Sequence, residues 1–163
     1  MRYANICENE RVVAEFYVEG HPEKPSVVAN FSKAEAPRAV IVTYGNIVVE
    51  AIKARDVLLS RDIAVGIVLL EHLKPYDRLA DELSEIIPES TEAIILLEEG
   101  IMNGGGAMLV KDKLEKIKKY DAINMSIMAI DDSFVHLGKG DTAYTAAGIS
   151  AEDIVNTVIN NLK

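Results

Sequence analysis

The chain has 163 residues, of which 49% are hydrophobic, and a formal net charge of −9. This length and composition are typical of one globular domain whose core needs no metal or disulfide staple. The negative charge disfavours nucleic acid and anionic membranes as partners, because both require a basic protein surface. The single cysteine, Cys7, cannot form an intramolecular disulfide, and no apolar run is long enough to cross a bilayer. The sequence therefore predicts a cytoplasmic protein.

The first 36 residues are predicted to be an N-terminal leader and linker. Within them, Arg11–Val18 is rich in β-forming residues and can form either an edge strand or an arm that packs elsewhere. Prolines flank a short apolar patch at Val27–Phe31, which predicts a linker with one short strand, since proline removes a ladder donor. The change in composition places the start of the regular domain at Pro37. The predicted division is thus a leader over 1–36 and an α/β domain over 37–163.

From Pro37 onward, apolar runs alternate with segments of helical periodicity. The apolar runs are typical of strands buried on both faces, as parallel strands beneath helices are. The predicted strands are Ala39–Tyr44, Ala64–Leu70, Ala93–Leu97 and Ile123–Ile130. The predicted helices are Ile47–Ser60, Tyr76–Ile87, Ala107–Tyr120 and Ser150–Leu162, with one further helical turn at Asp141–Ala146. This alternation predicts a three-layer, doubly wound α/β domain with a mostly parallel sheet and helices on both faces.

The first and last of these helices have specific predicted faces. Apolar spacing in the first helix predicts that Val48, Ala51, Ile52 and Leu59 face the core and that Glu50 faces outward. Ser150 is a predicted N-cap for the last helix, and Asp153 stands where a capping box needs its acidic residue. The predicted apolar face of that helix comprises Ile154, Val155, Val158 and Ile159.

The most distinctive chemistry follows the predicted strand Ala93–Leu97. Two carboxylates, Glu98 and Glu99, close this strand, and the glycines Gly104–Gly106 lead into the next helix. Ligands and partner loops in doubly wound domains gather at such strand ends. Three glycines before a helix can cradle an anion, but they match neither Gly-x-Gly-x-x-Gly nor a P-loop, and the nearby carboxylates repel phosphate. We therefore favour a tight turn or a subunit contact.

The two adjacent carboxylates allow two interpretations. Neighbours on an extended segment point in opposite directions, so at most one of Glu98 and Glu99 can enter a cleft as an acid or base. We favour the alternative that one carboxylate accepts backbone N–H bonds from the glycine-rich loop while the other faces a partner. The candidate subunit-contact or ligand rim comprises Gly45, Asn46, Glu98, Glu99, Asn103, Gly104, Gly105, Gly106 and His136.

The remaining polar residues do not form a recognisable catalytic or metal motif. His21, His72 and His136 lie far apart, and no Cys or His pair has metal-ligand spacing. His72 and His136 each follow a predicted strand, so a shared polar rim is favoured over a metal site. Asp131 and Asp132 are predicted to cap a loop, with nothing in the sequence to support Mg²⁺ binding. The sequence contains no Gly-x-Ser-x-Gly elbow, and it predicts no self-sufficient active site.

Five segments in a fixed order carry a resemblance to a known family. They are the strand and Gly of Ala39–Glu50, the Lys-Pro-Tyr-Asp of Leu73–Asp77, the Glu-Glu and Gly-Gly of Leu97–Gly106, the Asp-Ser-Phe segment Asp132–Gly138, and the helix entry Gly148–Ile154. Together they resemble the C-terminal domain of transketolase-like, thiamine diphosphate-dependent enzymes, and most of all the 1-deoxy-D-xylulose-5-phosphate synthases. The resemblance covers residues 37–162.

The resemblance implies a sheet of about five strands, mostly parallel with one antiparallel edge. It implies a non-catalytic C-terminal domain, or a separately encoded piece, of a transferase that makes isoprenoid precursors. The domain would serve assembly and subunit contacts and would form a homo-oligomer. The parent's pyrimidine- and diphosphate-binding domains would be its partners and would hold thiamine diphosphate and Mg²⁺. This chain itself would bind no cofactor or metal, so the isolated chain is expected to be inactive.

Two other functions remain open at the level of sequence. One is a stand-alone small-molecule or nucleotide-binding α/β module that uses the candidate rim. The other is the C-terminal part of a 2-oxo acid dehydrogenase β-subunit, which shares this domain.

Overall fold

The structure is a computed structural model that describes residues 27–30, 37–71, 73–132 and 141–162. The strands are β1 (Val27–Asn30), β2 (Ala39–Thr43), β3 (Val65–Leu70), β4 (Ala93–Ile101) and β5 (Asn124–Ile130). The helices are α1 (Val48–Leu59), α2 (Tyr76–Ile86), α3 (Gly106–Leu114), α4 (Asp141–Ala146) and α5 (Ala151–Asn161), with a 3₁₀ turn at Lys118–Tyr120. None of the helices in the described part of the chain combines the length and the apolar character needed to span a bilayer.

The strands form one five-stranded sheet in the order β1-β3-β2-β4-β5. The pairs β2–β3, β2–β4 and β4–β5 are parallel, while β1 runs antiparallel to β3 at one edge. This topology confirms the predicted fold class and the antiparallel edge that the resemblance implied. Strand β1 is the short strand predicted within Val27–Phe31. It joins the sheet although it precedes Pro37, and the division of the chain at that residue stays a prediction. The predicted edge strand Arg11–Val18 lies outside the described residues.

Alternate residues of the central strands enter two separate cores. Ile41 and its register neighbours Ile67 and Ile95 pack on one face with α1 and α5. Val42 and its neighbours pack on the other face with α2 and α3. The sheet is therefore covered on both sides, which explains why its strands are apolar without alternation. Each fully buried aliphatic side chain contributes about 1.5–3 kcal/mol to stability, so these two layers dominate the folding free energy.

Two predicted boundaries are wrong. The helix predicted over Ala107–Tyr120 ends at Leu114, because Ile117 adopts an extended backbone (φ −92°, ψ 113°) before the 3₁₀ turn. That break lets the Tyr120 side chain enter the α2–α3 core, where its hydroxyl donates to the Leu83 carbonyl at 3.2 Å. Strand β4 continues past Leu97 to Ile101, since its pairing with β5 resumes there after a bulge.

The predicted helix faces need three corrections. Leu58 is buried instead of Leu59, which is 55% exposed, because the buried stripe of α1 runs through Ala51, Ala54 and Leu58 at intervals of three and four residues. Glu50 is buried, not solvent-facing, because its carboxylate accepts the backbone N–H of Ala151. Ile159 is exposed on α5.

The other predictions for α5 and for the turn before it are confirmed. Ser150 forms the predicted capping box with Asp153, and Ile154, Val155 and Val158 are buried. Asp141–Ala146 is helical as predicted.

Candidate functional site

The carboxyl edge of the sheet brings together two of the loops that carry predicted rim residues. Gly45 and Asn46 follow β2, and β4 ends beside them because the two strands pair in parallel with Thr43 opposite Leu97. The next residue of each strand, Tyr44 and Glu98, therefore also meet. His136 lies outside the described residues, as do His21 and His72, so their predicted roles stay untested.

A bulge in β4 determines the direction of the two carboxylates. Leu97 pairs with Met128 and Ile101 with Ile130, so the three intervening residues of β4 face a single residue of β5. Extra residues of this kind bend a strand and redirect its side chains. Glu98 is 0% exposed, whereas Glu99 is exposed to solvent. The two carboxylates thus point in opposite directions, as the sequence predicted.

The buried carboxylate of Glu98 is bonded to the start of α3. Its Oε2 atom accepts the backbone N–H of Ala107 at 3.0 Å and also the hydroxyl of Tyr44. The first-turn N–H groups of a helix have no partner within the helix, and a carboxylate there also stabilises the helix dipole. One carboxylate of the pair thus accepts a backbone N–H as predicted, although the donor is Ala107 in the first turn of α3 and not the glycine-rich loop itself. Glu99 accepts the hydroxyl of Tyr144 at 3.3 Å, and its contact with a partner stays a prediction.

The triple glycine makes room for Glu98. A Cβ atom on Gly105 would lie 1.8 Å from Glu98 Oε1 and 2.5 Å from the carbonyl oxygen of Ile101. A Cβ atom on Gly106 would lie 3.0 Å from the Tyr44 hydroxyl oxygen. Gly104 has φ +82°, in the left-handed region that favours glycine. Gly105 is therefore required by close packing and Gly104 by backbone conformation, whereas a Cβ at Gly106 needs only a small shift of the Tyr44 hydroxyl.

These contacts decide whether the turn fits the diphosphate group of thiamine diphosphate. The Glu98 carboxylate occupies the place that an anion would take at the N-terminus of α3, and the Ala107 N–H is already bonded to it. A phosphate there would face a buried negative charge, so the turn does not fit the group. Among the described residues, no group of three or more His, Cys, Asp or Glu side chains is arranged to hold a metal ion. Asp131 and Asp132 are exposed.

Tyr44 bonds the Glu98 carboxylate and also borders a small, mostly apolar cavity. Burial, followed by the hydrogen bond to Glu98, raises the pKa of the Tyr44 hydroxyl above its ordinary value. The other oxygen of Glu98, Oε1, is buried without a hydrogen-bond partner among the described residues. A cavity of about 10 Å³ lies beside Tyr44 and is lined by side chains such as Leu96 and Val110. Because one water molecule needs at least that volume, the cavity does not accommodate an organic ligand.

Sequence reasoning missed Tyr44, although the chain contains a signal for it. Strands β2 and β4 pair with a constant separation of 54 residues, and Tyr44 and Glu98 have this separation. The same separation joins Arg38 to Glu92 at the opposite edge, where Nε donates to Oε1 at 2.6 Å and a terminal nitrogen to Oε2 at 2.9 Å. Side-chain bonds therefore bracket both ends of the β2–β4 pair. Aligning the apolar run of β2 with that of β4 in the sequence would have predicted both side-chain contacts.

Large apolar side chains lie exposed next to the triple glycine, and sequence analysis did not single them out. They are Ile101 at the end of β4, and Met108 and Leu109 in the first turns of α3. We refer to these three residues as the rim patch.

Comparison with known proteins shows extensive similarity to one family. The family model described as "Transketolase, C-terminal domain" matches residues 29–154. The 1-deoxy-D-xylulose-5-phosphate synthase of Shouchella clausii is 25% identical over 171 aligned positions, which cover 99% of this chain and 26% of that protein. The enzyme of the same name from Clostridium perfringens is 30% identical over 129 positions, with 78% and 20% covered. A Bacillus subtilis transketolase is 27% identical, with 83% and 19% covered.

A solved structure agrees in fold. A split-gene transketolase superposes on this chain with a TM-score of 0.70 at 24% identity, covering 88% of this chain and 43% of that one. That structure is described as an "inactive beta4 tetramer", a term that does not refer to the strand β4 of this chain. The chain spans about a quarter or less of the length of these curated relatives.

Proposed function

Because this chain belongs to the family of transketolase C-terminal domains, we propose that it is the non-catalytic C-terminal part of a thiamine diphosphate-dependent transferase. The part is either one domain of a longer chain or a separately encoded piece. The parent resembles the 1-deoxy-D-xylulose-5-phosphate synthases and transfers a two-carbon unit to an aldose phosphate. The observation that carries this proposal is the family match over residues 29–154, and the five-stranded sheet supports it.

The role of the domain is assembly. Its partners are the pyrimidine- and diphosphate-binding domains of the parent enzyme, which hold thiamine diphosphate and Mg²⁺. The geometry of the carboxyl edge supports this division of labour, because Glu98 already occupies the anion position at α3 and its hydrogen bonds hold the glycine turn to the sheet. The same edge exposes the rim patch, as a surface made for protein contact does.

Self-association in the cytoplasm belongs to the same proposal. The structurally similar split-gene transketolase is described as a tetramer, and this chain is likewise proposed to be part of a homo-oligomer. Its net charge of −9 favours protein over nucleic acid or membrane as the partner.

A direct assay tests the proposal. The purified chain is incubated with thiamine diphosphate, Mg²⁺, pyruvate and glyceraldehyde 3-phosphate, and no turnover is expected. Co-expression with a chain that carries a Gly-Asp-Gly…Asn motif, encoded beside it, is expected to yield an active complex.

Turnover by the isolated chain would refute the proposal. A rise in melting temperature with a nucleotide or sugar phosphate would instead favour a stand-alone binding module.

A further inference from the structure

The turn between β4 and α3 carries an Asn-Gly pair. Asn103 and Gly104 are its two central residues, and the turn is closed where the Gly105 N–H donates to the Met102 carbonyl at 3.5 Å. Because Gly104 has φ +82°, the backbone conformation favours glycine directly after the asparagine. Asn103 is a residue of the candidate rim to which the proposed function gives no role.

An asparagine followed by glycine is chemically labile in water, and asparagine is among the thermolabile residue types. The backbone nitrogen of the glycine, after giving its proton to hydroxide, attacks Cγ of the asparagine. The bond from Cγ to Nδ2 breaks, and Nδ2 leaves as ammonia after taking a proton from water. Water then opens the resulting succinimide ring at either carbonyl. The products are an aspartate and an isoaspartate, whose main chain runs through Cβ, and each carries a new negative charge.

The structure leaves the reacting atoms of this pair accessible. Asn103 and Gly104 are both exposed, and no atom lies within 4 Å of the position that a Cβ on Gly104 would occupy. Among the described residues, the Gly104 N–H donates no hydrogen bond and the Asn103 side chain has no bonding partner. Turns with few contacts open locally at little cost in free energy. The attacking nitrogen can therefore reach Cγ without unfolding of the domain.

Asn46, in the neighbouring loop of the candidate rim, lacks these features. It is also exposed, but the residue that follows it is Ile47, whose side chain is 0% exposed. A buried side chain holds the adjoining backbone nitrogen in place, and branching at Cβ obstructs ring closure. Asn46 is therefore an internal control for Asn103 within the same protein.

We propose that Asn103 is a site of spontaneous deamidation to isoaspartate, and that this modification loosens the connection between β4 and α3. The inference goes beyond the proposed function and does not depend on it. Isoaspartate adds an atom to the main chain within residues 102–105, where Gly105 already packs against the Glu98 carboxylate. A shift of Gly105 displaces that carboxylate from the Ala107 N–H, to which it is bonded at 3.0 Å. The modified chain is therefore less stable than the unmodified chain.

Ageing of the intact chain tests the assignment. The chain is kept near 37 °C at pH 5 and at pH 8, folded or unfolded in urea, and peptide mapping by mass spectrometry locates each exchange of NH for O. Isoaspartate is detected by enzymatic methylation of its carboxylate. Asn103→Gln is the first control variant, because glutamine forms the corresponding six-membered ring much more slowly. Asn103→Asp is the second, because it carries the new charge without the lengthened main chain. Circular dichroism confirms that both variants are folded.

The expected result is isoaspartate at position 103 of the folded chain. Deamidation is at least about tenfold faster at Asn103 than at Asn46, because Gly104 has no side chain to obstruct ring closure. It is faster at pH 8 than at pH 5, because the attacking nitrogen must lose its proton. The rate in the folded chain lies within about tenfold of the rate in urea, as for a turn that opens locally. Asn103→Gln forms no isoaspartate at this position.

The isoaspartate form, separated by chromatography, is expected to unfold at a lower urea concentration than either the wild type or Asn103→Asp. If it is as stable as Asn103→Asp, the turn does not transmit the change to Glu98, and that part of the inference fails. Deamidation of Asn103 that is no faster than that of Asn46, or that occurs only in urea, would overturn the assignment of the site. None of these outcomes affects the proposed function, which the assay with thiamine diphosphate tests separately.

Discussion

Gly105 is the residue with the least freedom to change at the carboxyl edge. Two oxygen atoms, from the Glu98 side chain and the Ile101 backbone, stand where its Cβ would be. A methyl group there must displace the carboxylate from the N-terminus of α3 or move the end of β4. The identity of this glycine therefore follows from the buried carboxylate, not from a phosphate ligand.

Gly105→Ala is expected to lower the free energy of unfolding by about 1–3 kcal/mol, the usual cost of overpacking. Urea denaturation measures the loss. Gly100→Ala is the matched control, because its Cβ would meet its nearest neighbour, Glu98 Cδ, at an ordinary contact distance of 3.5 Å. Equal stability of the two variants would show that Glu98 does not occupy the position described.

Tyr44→Phe tests the hydroxyl that bonds Glu98. In the variant, the buried Glu98 carboxylate keeps one of its two described hydrogen bonds, the one from the Ala107 N–H. A lost hydrogen bond to a charged group costs about 1.5–3 kcal/mol. Chemical denaturation near pH 7 measures this loss. A variant as stable as the wild type would show that the hydroxyl contributes nothing to the turn.

The same tyrosine predicts a decline in stability at alkaline pH. The folded state raises the pKa of Tyr44, whereas the unfolded chain loses this proton near the ordinary value of 10.0. Above that pH the unfolded state binds fewer protons, so its free energy falls relative to that of the folded state and stability is lost as pH rises. Denaturation between pH 9 and 11 should therefore show a steeper decline in the wild type than in Tyr44→Phe. Tyr120, whose pKa burial raises to about 12, contributes to the decline that remains in both proteins.

At the scale of elements, a buried carboxylate links α1 to α5. Glu50 is 4% exposed, its Oε2 accepts the Ala151 N–H at 2.9 Å, and its Oε1 accepts the Lys53 ammonium at 2.7 Å. With the Ser150 capping box, it satisfies the N-terminus of α5 and ties that helix to its neighbour across the sheet face. Glu50, which the local spacing of residues predicted to face outward, thus forms a contact between two helices.

Glu50→Gln is expected to reduce stability by about 1–2 kcal/mol, because the N-terminus of α5 loses a negative charge held in a partly buried site. Lys53→Ala is the control, and since the Lys53 side chain is 47% exposed, its loss should cost less than about 1 kcal/mol. Thermal and urea unfolding compare the two. A larger effect from Lys53→Ala would place the stabilisation in the ion pair and not in the helix cap.

Across the whole molecule, the sheet is most protected at its centre. Strand β2 is buried along its entire length and pairs on both sides, whereas most residues of β5 are only partly buried and its described pairing is with β4 alone. Regions of high burial open only with global unfolding, while edge elements open locally.

Native-state hydrogen exchange should therefore show the slowest amides in β2 and in the first half of β4, with faster exchange in β5. Exchange in α1 and in α2, which cover opposite faces of the sheet, serves as the internal reference for each face. Protection of β5 equal to that of β2 in the isolated chain would show that its outer edge is also covered.

The amino-acid sequence alone determined the three-layer parallel architecture, the capping box of α5 and the location of the unusual chemistry near Glu98 and the triple glycine. Each of these depends on the spacing of residues along the chain, which reflects helix and strand periodicity directly. Only the tertiary structure decided that Glu98 is the buried carboxylate, that Tyr44 is its partner and that Glu50 caps a helix 101 residues away. Such contacts depend on strand register and helix packing, which assembly of the whole sheet establishes and local periodicity does not contain.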